Sequence, residues 1–112
     1  MSYRILIVVF LSSIFSSVNA YDGWSGVHQV DSIRMYPNGT VLIQMANANN
    51  PSGCSETSYL SLPQDGTDGR KKQYATLLSA YMARETVKLA LTGCSNGGTS
   101  GYRVIEQVWL SR

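Results

Sequence analysis

The chain has 112 residues, nine Lys or Arg against seven Asp or Glu, and a hydrophobic content of 44%. That length accommodates one domain with a small core. A formal net charge of +2 excludes the strong basic field of a general nucleic-acid binder, and a single histidine with two cysteines leaves little from which to build a metal centre.

Arg4 is the only charge in residues 1–21, and it is followed by an apolar run over 5–11 and a small polar segment over 12–20. Val18 and Ala20 occupy the two small-residue positions of a cleavage site, so residues 1–20 read as a signal peptide cleaved after Ala20. The mature chain would then be residues 21–112, exported and either secreted or periplasmic. The apolar run is far shorter than the roughly 20 residues a bilayer crossing needs, so no transmembrane segment is expected in the mature chain. Two cysteines in an exported chain predict a disulfide, Cys54 to Cys94. A metal site or a catalytic thiol would each have to rely on His28, the only histidine.

Segment 27–36 has strand character, and its apolar residues Val30, Ile33 and Met35 change parity across Asp31-Ser32, which predicts a bulge. Pro37-Asn38-Gly39 marks a turn, after which Val41, Ile43 and Met45 resume period 2 as the second arm of a hairpin. A polar loop over 47–53 leads to a third strand over 54–62, with Tyr59, Leu60 and Leu62 as its apolar content. Loop 63–69 supplies a helix N-cap at Thr67 or Asp68.

The stretch 70–92 carries the strongest pattern in the chain. Tyr74, Leu77, Leu78, Tyr81 and Met82 fall on one helical stripe with Leu78 at its centre, so Leu78 is expected in the core. Val87, Leu89 and Leu91 then alternate with Lys88 and Ala90 as a fourth strand. A loop rich in Gly, Ser and Asn over 93–101 surrounds Cys94, and 102–110 closes the chain as a fifth strand. Arg70-Lys71-Lys72 opens the helix, where cations oppose the helix dipole. It reads either as a solvated helix end or as a docking point for an anionic partner.

The class is therefore mainly β with one helix, in the order β-β-β-α-β-β. That is the order of an OB-fold, a five-stranded barrel capped by a helix, and an open sheet packed on one helix shares it.

Catalysis needs a base poised beside its partner. His28 stands alone, and Asp22, Asp31, Glu56, Asp65, Asp68, Glu85 and Glu106 form no paired motif. No nucleotide-binding, hydrolase or metalloprotease signature occurs, so no enzyme activity and no cofactor is expected. The formal glycosylation sequon Asn38-Gly39-Thr40 is explained by turn geometry. Binding is the better expectation. A sugar's apolar face stacks on aromatic rings while its hydroxyls take directed hydrogen bonds. Tyr21, Trp24 and Ser25 near the mature N-terminus, and Trp109 with Tyr102 on the last strand, are the candidates. The competing reading places both tryptophans in the core.

Asp22-Gly23-Trp24-Ser25-Gly26-Val27 resembles the start of the B subunit of subtilase cytotoxin, where an Asp-Gly pair precedes an aromatic-Ser-Gly-Val stretch. Tyr74, Leu78 and Tyr81 resemble the tyrosine, leucine and tyrosine of that family's helix, and Val87-Lys88-Leu89 its following strand. Gly93-Cys94 is similar to the Gly-Cys of typhoid-toxin type B subunits. The resemblance implies an OB-fold protomer in a homopentamer that binds sialylated glycans and delivers a catalytic A subunit. It assigns Ser25 to sialic-acid contact, with Trp24 or Tyr21 as the stacking face. Leu91 stands where the family places a sugar-contacting tyrosine, and the Cys54 and Cys94 spacing differs from that of subtilase cytotoxin. The alternative function is an exported structural or protein-interaction domain without a sugar site.

Overall fold

Residues 21–111 are described by a computed structural model. The expected signal peptide lies outside them. The elements are β1 (Gly23–Gln29), β2 (Ser32–Met35), β3 (Val41–Gln44), β4 (Glu56–Leu62), α1 (Asp68–Ala83), β5 (Thr86–Cys94) and β6 (Tyr102–Ser111). They form one six-stranded sheet in the order β1-β5-β6-β4-β3-β2, antiparallel throughout except for the parallel β4–β6 pair. The expectation of a closed five-stranded barrel is corrected to an open sheet of six.

The extra strand arises at Val30 and Asp31. The Asp31 N–H donates to the Gln44 carbonyl at 2.7 Å, and its carboxylate accepts the Ala46 N–H at 2.7 Å. These bonds break the predicted first strand in two. Its first half pairs with β5 and its second half with β3, so the halves become the two edges of the sheet.

The core lies between one sheet face and α1. Ile43, Leu60, Leu62, Val87, Leu89, Leu91 and Ile105 supply the sheet side, and Leu77 and Ala80 the helix side. Thr67 caps the helix by accepting the Arg70 N–H, and Arg84 ends it in the left-handed conformation (φ 57°). Leu78 is 38% exposed, against the expectation that it is core. Leu77 and Leu78 project about 100° apart on a helix. The arc that meets the sheet is the one carrying Gln73, Tyr74, Leu77 and Ala80.

Polar residues on that arc have a reason to be there. In β6 the register shifts opposite Ala90 and Leu91, and the carbonyls of Ile105 and Glu106 lie at the irregularity. Arg70 donates to the Ile105 carbonyl at 2.6 Å and Gln73 to that of Glu106 at 2.9 Å. Arg70 is thus a half-buried tie between helix and sheet, whereas Lys71 and Lys72 stay exposed. A second arginine is deeper still. Arg103, 2% exposed, donates to the carbonyls of Ala48, Asn49 and Thr57, and burial lowers its pKa.

Cys54 and Cys94 form the expected disulfide, with a Cα–Cα distance of 5.6 Å. It joins the segment before β4 to the end of β5. Closing a loop between cysteines 40 residues apart stabilises by about 4 kcal/mol in the chain-entropy account.

Candidate functional site

Alternation along β5 sends Val87, Leu89 and Leu91 into the core, which leaves Lys88 and Ala90 on the opposite face. The neighbouring strands then decide what surrounds them. On β1, Trp24 pairs with Ala90 and Val27 with Lys88, while on β6 Trp109 pairs with Lys88. Two indoles from flanking strands therefore meet over a central lysine. The Lys88 ammonium lies 4.5 Å from the Trp24 ring centroid and 5.1 Å from that of Trp109. The rings meet edge to face at 5.4 Å, and Tyr21 packs edge-on against Trp24 at 5.0 Å. Trp109 is 50% exposed, and its indole N–H donates to the Gln107 side chain. Neither tryptophan belongs to the core cluster.

Of the expected contact residues, Tyr21 and Trp24 thus come together with Trp109. Tyr102 does not join them and packs edge-on against Tyr59 instead. Lys88 was missed as a site residue, although its place in the β5 alternation already put it opposite the core. What singles it out is the cross-strand register with Trp109, which no local pattern carries.

Ser25 is the expected site residue that the structure places elsewhere. It is fully buried. Between Trp24 and Val27 the β1–β5 register slips, so Ser25 and Gly26 together oppose Leu89. The Leu89 N–H loses a ladder partner at this bulge, and the Ser25 hydroxyl accepts it at 2.9 Å while donating to the Gly26 carbonyl at 2.7 Å. Gly26 adopts φ +87°, and a Cβ there would meet the His28 ring at 2.8 Å. Ser-Gly at this point is a bulge device. Its hydroxyl is occupied, out of reach of a surface ligand.

Asp22, just before β1, is likewise a stitch. Its carboxylate accepts the Ser52 hydroxyl and, at 2.8 Å, the Gly93 N–H. Those two bonds, the Ser52 one foremost, hold its pKa below the usual carboxylate value.

Among the described residues no group of three or more His, Cys, Asp or Glu side chains is arranged to hold a metal ion, and no helix is long and apolar enough to cross a membrane. The platform offers two aromatic faces and one positive charge whose hydration the rings partly replace. Compared with known protein families, characterised proteins and solved structures, the chain matches none.

Proposed function

We propose that the protein is an exported, non-catalytic glycan-binding subunit, and that Tyr21, Trp24, Lys88 and Trp109 hold an acidic sugar. The observation that carries this reading is the placement of the Lys88 ammonium against two indoles on an open sheet face. A sugar's C–H face stacks on the exposed Trp109 ring while its carboxylate pairs with Lys88. A terminal sialic acid is the ligand to which the toxin B-subunit resemblance points. The disulfide supports export, because such bonds persist in oxidising compartments. The parallel β4–β6 pair and the helix between β4 and β5 support an OB-like chain path within the open sheet. A glycan array with the mature protein tests the proposal. Retention on sialylated or uronate-bearing glycans, weakening with salt, is expected. Retention on no acidic glycan rejects it.

A second reading has its own observation. Leu78, Tyr81 and Met82 form an exposed apolar stripe on α1, with Met82 73% exposed. Such a stripe suits a protein partner, either further copies of this chain in a homopentamer or a catalytic A subunit. In the interaction-domain version the stripe is the functional surface and the platform binds no sugar.

A further inference from the structure

We infer that the sheet carries a second carbohydrate site, a tyrosine-walled cleft that takes an uncharged sugar ring and is separate from the Lys88 platform. It lies over β2, β3, β4 and β6. Cross-strand pairing aligns Arg34 with Leu42, Leu42 with Ser61, and Ser61 with Val104. Alternation then puts Tyr36, Thr40, Tyr59 and Tyr102 on the same face as that row. This face points away from Ile43 and Leu60, which are core.

Within it, Tyr36 and Tyr102 wall a cleft of about 470 Å3 over a floor of buried Leu42. Clefts of roughly 300–1,000 Å3 are the usual size for small ligands. Its rim is made of amides and hydroxyls: Asn38 and Thr40 from the β2–β3 turn, Ser61 from β4, and Ser95 and Asn96 from the β5–β6 loop. Every lining side chain is uncharged.

Both loops are set before any ligand arrives. The β2–β3 turn is closed by Tyr36 N–H to Thr40 carbonyl and Gly39 N–H to Tyr36 carbonyl, each at 2.9 Å. The Asn38 side-chain oxygen accepts the Thr40 N–H, which leaves the amide NH2 to donate elsewhere. In the β5–β6 loop the Asn96 N–H donates to the Ser100 carbonyl at 3.0 Å, and the Ser95 hydroxyl accepts the Tyr102 N–H. The loop is anchored at Cys94 by the disulfide. Beside the cleft the Arg34 guanidinium lies over the Tyr36 ring at 5.4 Å and the Tyr59 ring at 5.7 Å, and donates to the Tyr59 hydroxyl. Arg34 is thereby a positioning residue for the aromatic wall.

This chemistry matches a pyranose. Its apolar face stacks on tyrosine, and its hydroxyls reach amide and hydroxyl groups carried on two hydrogen-bonded turns. An uncharged lining requires no anionic ligand, so binding here does not follow ionic strength, in contrast to the platform.

The test is an NMR titration of the mature, disulfide-bonded protein with the methyl glycosides of glucose, galactose, mannose and N-acetylglucosamine, at low and moderate salt. At least one should give saturable shifts at Gly39, Thr40 and Asn96 and at the side-chain NH2 groups of Asn38 and Asn96, with an affinity that salt does not change. Tyr36→Ala should weaken that binding roughly 10-fold, in line with the loss of a stacking face. Asn96→Ala, in an exposed loop, is a second variant expected to weaken it with the fold intact. The inference is overturned if none of the four glycosides saturates, if the shifts map to Trp24, Lys88 and Trp109, or if neither variant weakens binding. A failure of acidic-glycan binding at the platform leaves these shifts in place, so the two proposals fail separately.

Discussion

Ser25 shows most clearly how a residue's surroundings decide its role. Its hydroxyl fills the vacancy that the β1 bulge opens opposite the Leu89 N–H. Ser25→Ala should therefore cost about 1–3 kcal/mol of stability, because a buried donor is left unpaired. Urea melts check this, and an unchanged midpoint would contradict the assignment. Asp22 makes a pH-dependent contribution. Its carboxylate pKa is depressed in the folded chain by the Ser52 hydroxyl and the Gly93 N–H. The stabilisation is thus present above the ordinary value of 3.8 and is lost as pH falls through the lower folded value. Asp22→Asn should be less stable than wild type at neutral pH, and the difference should close in acid. A constant difference from neutral to strongly acidic pH would contradict the linkage. The Asp-Gly-Trp-Ser-Gly stretch was conspicuous in the sequence. Its chemistry was not legible there, since a serine at a bulge and a serine at a pocket read alike until Leu89 is placed opposite.

At the scale of elements, the helix, a cap at Thr67 or Asp68 (the structure uses Thr67), the β2–β3 hairpin and the alternation of β5 were all readable from period and turn chemistry. The buried face of α1 was legible only in part. The apolar stripe from Tyr74 to Met82 spans two arcs, a buried one with Tyr74 and Leu77 and an exposed one with Leu78, Tyr81 and Met82, and periodicity alone put its centre at Leu78 on the exposed arc. The sheet selects the other, because Arg70 and Gln73 on it satisfy the Ile105 and Glu106 carbonyls, a demand that exists only once β6 is irregular. Leu77→Ala should accordingly cost about 2–5 kcal/mol. Leu78→Ala, on the exposed arc, should cost about 1 kcal/mol or less. Denaturant unfolding of the pair decides between the arcs, and equal losses would contradict the assignment. The break at Val30 and Asp31 was anticipated as a bulge near Asp31-Ser32. That it divides one strand between the two sheet edges depends on long-range bonds to Gln44 and Ala46, which local parity does not reveal.

For the whole molecule, the sheet has a core face closed by α1 and an outer face bearing both aromatic clusters, while the helix turns an apolar stripe outward. That stripe is expected to drive self-association, as homopentamer or smaller ring. Met82→Lys should shift the native mass spectrum towards monomer at micromolar concentration, with Leu77 and the core untouched. A wild-type protein that is monomeric under those conditions would remove the stripe as a self-interface. The central claim, however, concerns Lys88 and its two indoles. The most direct measurement is calorimetric titration of the mature protein with a sialylated oligosaccharide, comparing wild type with Lys88→Gln at two salt concentrations. The loss of one charge-assisted bond, about 1.5–3 kcal/mol, corresponds to roughly 10- to 150-fold weaker binding at low salt. The account predicts that loss, together with a weaker salt dependence in the variant. Wild-type binding that Lys88→Gln leaves unchanged, or no wild-type binding at all, would contradict it.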